Sequence, residues 1–250
     1  MGWRERLQNP RPLVIGHRGA CGTHPENTGA GFEAAWQLGA DAIEFDVRWS
    51  RDGEAVIIHD DTLDRTAGRP GRVGEMDWSE LSTVDVGRLR GTEFEGQCLL
   101  RLDEVIERWA SQRLLNIEWK DDVESLGQRW LARLANHPHR ENLLVSSFNP
   151  SDLLAFHRDA PDVARGFLFE TAMEDLHIEF ARKTECVSLN GAFNAIDAAS
   201  IRRVATAGFP MLLFTVNEAK DMVAALQRGA RGLFTNFPAR LRGLVESGDE

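Results

Sequence analysis

Short apolar runs of strand length alternate with amphipathic stretches along most of this chain. The apolar runs fall at Leu13–Gly16, Ala42–Val47, Leu114–Trp119, Leu143–Ser147, Gly166–Phe169, Val187–Leu189, Met211–Val216 and Gly232–Thr235. Helical spacing of apolar positions predicts helices near 28–38, 102–112, 122–136, 151–159, 173–183, 197–206 and 218–228. Strands that alternate with helices in this way are the signature of parallel β/α units. At 250 residues the chain has the length of one closed barrel of such units. The expected fold class is therefore α/β, a (β/α)8 TIM barrel forming a single domain over 1–250.

One stretch breaks the alternation. AVIIHDDTLDRTAGRPGRVGEMDWSELSTVDVGRLRGTEFEGQ carries a short strand that ends at His59, then Gly- and Asp-rich turns. It reads as a small insertion after strand two, at about 60–100, on the face where barrels carry their sites. The charged tail VESGDE reads as a frayed end.

The polar exceptions within the strands matter most. In DAIEFDV, residues 41–47, side chains alternate faces, so Glu44 and Asp46 share one face while Ile43, Phe45 and Val47 take the other. The outer face of a barrel strand packs on helices and should be apolar, so the two carboxylates point inward. The same count in LLNIEWK, residues 114–120, turns Asn116, Glu118 and Lys120 inward. Three carboxylates meeting in an interior are costly unless a proton or a cation joins them. An all-oxygen set favours a hard ion, Mg²⁺ or Ca²⁺, over zinc. The alternative is a structural ion-pair cluster with Arg18 and Lys120.

Two histidines end strands at the same edge, His17 in VIGHRG and His59 in AVIIHD. A pair of imidazoles beside a carboxylate cluster suits acid–base work near neutral pH. His24, His137, His139, His157 and His177 fall on loops or helices and read as surface residues. His137-Pro138-His139 mimics a metal-binding HxH, but it lies at a helix end with no third ligand in sight. Gly29-Ala30-Gly31-Phe32-Glu33-Ala34 fits a nucleotide-binding pattern on paper, yet it does not follow directly on a strand, as that pattern must.

Composition narrows the partners. A net charge of −10 without a dense basic run argues against nucleic acid. It leaves room for an anionic small molecule, because binding depends on local charge. Three widely spaced cysteines, Cys21, Cys98 and Cys186, suggest no disulfide framework, with Cys98 and Cys186 expected to be buried. The start MGWRERLQNPRPLVIG holds no signal-peptide core, and no window offers ~18 apolar residues for a membrane span. The expected location is cytoplasmic, without membrane insertion. A homo-oligomer is compatible with the sequence.

The ordered motifs HRG (17–19), PENT (25–28), EFD (44–46), DG (52–53), HD (59–60), LDRT (63–66), NIEWK (116–120), SSF (146–148) and FTVN (214–217) resemble the glycerophosphodiester phosphodiesterases. The resemblance runs almost end to end and is nearest to the cytoplasmic bacterial enzymes. It implies a β/α barrel with an insertion after the second strand, and metal-dependent hydrolysis of glycerophosphodiesters to glycerol 3-phosphate and an alcohol. It places the metal on Glu44, Asp46 and Glu118, the acid–base pair on His17 and His59, and the phosphate on Arg18 and Lys120. PENT is implied to support the loop beneath the site, where Asn27-Thr28 can also cap the next helix. Two positions depart from the family pattern. Phe214 stands where a tryptophan is common, and Asn236 stands where the family has an aspartate. The competing readings are a lysophospholipase D-type activity and a catalytically silent barrel that binds phosphodiesters. No basic amphipathic helix supports the first, and two acid–base histidines are superfluous to the second.

Overall fold

The computed structural model describes residues 1–122 and 127–247. Its strands are β1 (Leu13–His17), β2 (Ala42–Trp49), β3 (Ala55–Ile57), β4 (Leu114–Trp119), β5 (Leu143–Ser147), β6 (Ala164–Phe169), β7 (Ser188–Ala192), β8 (Met211–Phe214) and β9 (Gly232–Thr235). Parallel pairing runs from β2 through β4, β5, β6, β7, β8 and β9 to β1, and β1 pairs back to β2. This closes a parallel eight-stranded barrel. β3 lies antiparallel on the end of β2, with Val47 opposite Ile57 and Trp49 opposite Ala55.

The helices are α1 (Trp3–Gln8), α2 (Gly29–Gln37), α3 (Asp64–Ala67), α4 (Trp78–Leu81), α5 (Leu102–Trp109), α6 (Gln128–Ala135), α7 (Pro150–Asp159), α8 (Asp175–Lys183), α9 (Ala198–Thr206), α10 (Ala219–Gln227) and α11 (Pro238–Ser247). The predicted start of a helix at 122 falls partly on 123–126, outside the described residues. Outward strand residues such as Ile43, Phe45, Val47, Ile117 and Trp119 are buried against this helical layer. The aromatic pairs Phe32–Trp109 and Trp49–Trp119 pack there, with ring centroids 5.6 and 5.0 Å apart.

α1 and α11 escape the sequence pattern. α1 is six residues long, too short to show a period. α11 buries Pro238, Leu241 and Val245, with Leu244 packed partly buried beside them. The expected frayed tail is thus helical through Ser247, and 248–250 lie outside the described residues. α1 closes the floor of the barrel. Trp3 is fully buried among the inward residues Leu13, Ile15, Ala42, Leu114 and Leu144, and its indole N–H donates to the Leu115 carbonyl at 3.1 Å.

β3 and the segment after it build a small core from Val56, Ile58, Leu63, Ala67, Val73, Leu81, Val84, Val86 and Leu99. Two expectations about burial are corrected. His177 is not a surface residue: its ring stacks on Phe169 with centroids 4.4 Å apart, and its Nδ1 accepts the Glu174 N–H at 3.0 Å. Cys186 is buried as expected, whereas Cys98 is only half-buried, within the inserted segment, where its backbone forms a β-bridge with Asp85. Among the described residues no helix is long and apolar enough to cross a membrane.

Candidate active site

Barrel register assembles the site. His17 on β1 pairs with Glu44 on β2, and Asp46 on β2 pairs with Glu118 on β4. All three carboxylates are buried, with potential ligand oxygens within 4.8 Å of one another. The inward alternation expected of β2 and β4 is what brings them together.

Glu44 and Glu118 are each held through one oxygen and Asp46 through both. Glu44 Oε2 accepts the backbone N–H of Arg18 at 2.9 Å. Its Oε1 is buried and has no hydrogen-bond partner among the described residues. Asp46 Oδ2 accepts from Asn27 Nδ2 at 2.9 Å and lies 3.2 Å from Arg18 Nε. Asp46 Oδ1 faces Lys120 Nζ at 3.1 Å, and the same ammonium contacts Glu118 Oε1. An all-oxygen set with an orphaned buried oxygen fits a hard divalent cation.

The charges agree with that fit. Burial, with Asp46 and Glu118 nearby, pushes the Glu44 carboxyl well above its usual range. Burial and the Asp46 charge raise Glu118, against the pull of Lys120. Burial also acts to raise Asp46, but Lys120 and Arg18 outweigh it and hold this carboxyl below its usual range. Glu44 and Glu118 are thus the carboxyls of the cluster that favour a proton, and Asp46 the one that favours its charge.

The loop after β1 is shaped around these contacts. Arg18 has φ 52° and Gly19 φ 81°. A Cβ on Gly19 would come within 2.6 Å of the Gly31 backbone, so the turn needs glycine there. Thr28 caps α2 by accepting the Gly31 N–H at 3.1 Å. Asn27 takes a different task from capping: it grips Asp46 through both its amide nitrogen and its Oδ1.

The two imidazoles differ in their partners. His17 Nδ1 lies 2.8 Å from Asn236 Oδ1, and Asn236 is itself fixed by its N–H donating to Asn217 Oδ1 at 2.9 Å. Burial, reinforced by the Arg18 charge, lowers the His17 pKa to about 4. His59 Nδ1 instead faces Asp60 Oδ1 at 2.7 Å. Burial lowers His59 as well, opposed by the Asp46 charge and the Asp60 hydrogen bond. Arg48 Nε donates to the His59 carbonyl at 2.6 Å and Nη1 to Asp121 at 2.6 Å, which pins the end of β3 against the barrel. Both rings are thus held through Nδ1.

A cleft between these groups and the far wall is lined by His17, Glu44, Glu118, Ser146, Phe148 and Phe214. Phe148 and Phe214 meet edge to face at 5.7 Å. Every residue singled out from sequence, His17, Arg18, Glu44, Asp46, His59, Glu118 and Lys120, thus lies at this one mouth. Sequence reasoning assigned no contact to Glu26, Arg48, Asp60, Arg65 or Asn236. The adjacent His59-Asp60 pair was the available signal for Asp60.

The model of the glycerophosphoryl diester phosphodiesterase family matches residues 17–240. A glycerophosphodiester phosphodiesterase of Caldanaerobacter subterraneus is 32% identical over 243 residues, covering 95% of this chain and 99% of the relative. One from Bacillus altitudinis is 30% identical over 238 residues, covering 91% of this chain and 95% of that one. Among solved structures, an Oleispira antarctica phosphodiesterase in complex with the product sn-glycerol 3-phosphate superposes with a TM-score of 0.86 at 30% identity, covering 96% of this chain and 99% of that chain.

Proposed function

The chain belongs to the glycerophosphoryl diester phosphodiesterase family, and from that premise we propose that it hydrolyses glycerophosphodiesters to glycerol 3-phosphate and an alcohol by two-histidine acid–base catalysis at a divalent-cation site. The observation that carries this is the convergence of Glu44, Asp46 and Glu118 beside two imidazoles whose Nδ1 atoms are already engaged.

Glu44, Asp46 and Glu118 would hold the cation, which when bound offsets charge on the phosphoryl group and makes a nearby hydroxyl more acidic. Arg18 and Lys120 stand beside these carboxylates and present their cationic groups to the phosphoryl oxygens. Asn236 and Asp60 fix the two rings, so Nε2 of each is the atom that moves a proton. One histidine takes the proton of the glycerol 2-hydroxyl as its oxygen attacks phosphorus. The bond from phosphorus to the alcohol oxygen breaks, and the other histidine protonates that oxygen. Water then opens the cyclic phosphodiester with the roles exchanged, which restores both histidines. The Phe148–Phe214 wall gives the organic part of the substrate an apolar surface.

Release of glycerol 3-phosphate from glycerophosphocholine tests this reading, after chelation and after restoring Mg²⁺ or Ca²⁺. Turnover that disappears with chelator and returns with one ion is the expected result. Well-folded protein that releases no glycerol 3-phosphate with either ion would overturn it.

A further inference from the structure

Arg65 stands outside the metal and histidine set, on α3 of the inserted segment, yet its guanidinium is forked onto two carboxylates at once. Nε and Nη2 donate to Asp60 Oδ2 and Oδ1 at 2.7 and 3.1 Å. Nη1 and Nη2 donate to Glu26 Oε2 and Oε1 at 2.6 and 2.8 Å. The two acids come from different parts of the mouth. Asp60 follows His59 and faces its Nδ1. Glu26 belongs to the loop after β1 that also carries Arg18, and its Oε1 accepts from Arg18 Nη1 at 3.1 Å.

A continuous chain of contacts therefore runs from His59 through Asp60, Arg65, Glu26 and Arg18 to Asp46. The Arg65 side chain is 48% exposed, and ion pairs at that exposure add little to stability. What two bidentate contacts do supply is fixed geometry, because a planar fork leaves neither carboxylate free to rotate. Asp60 Oδ1 is shared between His59 and Arg65, so the arginine determines where the histidine finds its acceptor. The Asp60 carboxyl is held below its usual range first by Arg65 and then, against burial, by His59.

We propose that Arg65 is a positioning residue that locks the His59 loop to the Arg18 loop and so sets the direction of the His59 ring over the phosphoryl site. The inference rests on the reading of His59 as an acid–base group. A lysine cannot replace Arg65, since one ammonium does not span both acids in a plane.

The test compares kcat, KM and melting temperature for Arg65→Ala, Arg65→Lys, Asp60→Asn, the Asp60→Asn/Arg65→Ala double variant and His59→Ala, with glycerophosphocholine and the divalent cation in excess. Arg65→Ala should lower kcat about 10–100-fold, the scale of a misplaced catalytic group, with KM changed less than about 3-fold. Arg65→Lys should recover only part of this, and the melting temperature should stay near that of the parent. In the Asp60→Asn background, removing Arg65 should lower kcat by no more than about 3-fold, because the route to His59 is already cut. Full multiplicative losses in the double variant, or an Arg65→Ala enzyme with unchanged kcat, would overturn the proposal. Near-normal turnover in His59→Ala would instead sink the acid–base reading, and this inference with it.

Discussion

Replacing Asn236 by aspartate puts a carboxylate where His17 Nδ1 now meets an amide oxygen at 2.8 Å. The imidazolium would then face a negative charge from residue 236 as well as the more distant charge of Asp46. At about 4 Å between charge centres and an effective dielectric near 20, the attraction is about 4 kcal/mol, or about three pKa units. Burying the new carboxylate takes back part of this, so a rise of about one to three units is expected. His17, now lowered to about 4, would titrate at higher pH in the variant. Two assays read it. The acid limb of the pH profile of kcat/KM should move to higher pH, and the His17 ring proton should titrate later by NMR.

Stability supplies an independent check of sign. A histidine whose folded pKa lies below its unfolded 6.5 contributes fully above pH 6.5, and that contribution is lost as pH falls toward about 4. Over that interval the loss for the parent is about 3 kcal/mol, and it should be smaller in Asn236→Asp. An unmoved acid limb together with an unmoved ring-proton titration would mean that residue 236 does not govern His17, and the reasoning would fail.

Metal binding should release protons. Because Glu44 and Glu118 are raised above their usual ranges, cation affinity should climb with pH through the neutral range by up to about tenfold per unit for each proton displaced. Calorimetry of Mg²⁺ or Ca²⁺ binding in buffers of different ionisation enthalpy checks this, and heats independent of buffer would contradict it. Gly19→Ala should distort the loop that carries His17 and Arg18, since φ 81° and a 2.6 Å approach to Gly31 both oppose a side chain. A destabilisation of about 1–3 kcal/mol, with a larger fall in turnover, is expected from denaturant melts and steady-state rates.

The barrel and its acidic face were legible because both obey short periods. Glu44 and Asp46 are two residues apart on one strand, as are Glu118 and Lys120, so a count of two places them without any knowledge of the partners. His17 and His59 were visible because each ends an apolar run. Asn236 attracted notice only as a departure from the family pattern, and its contact with His17 depends on β9 lying beside β1, 219 residues away. Arg65 and Glu26 are 39 residues apart, on a four-residue helix and a loop that no apolar period describes. α11 was missed although Leu241, Leu244 and Val245 have helical spacing, because the charged residues that follow read as a frayed end. What periodicity cannot encode is which loop meets which, and the supporting contacts of this site are of that kind.

The plug formed by α1 has a consequence for traffic. With Trp3 sealed under the barrel, the vessel has a floor and one rim. In the proposed reaction the diester, the departing alcohol and the water that completes hydrolysis would all cross that rim. If the reaction runs in the two proposed steps, alcohol and water would exchange at a shared doorway, and a slow-leaving alcohol would delay the water that follows it. A larger head group can therefore slow the enzyme at the threshold, even where the chemistry at phosphorus is unchanged.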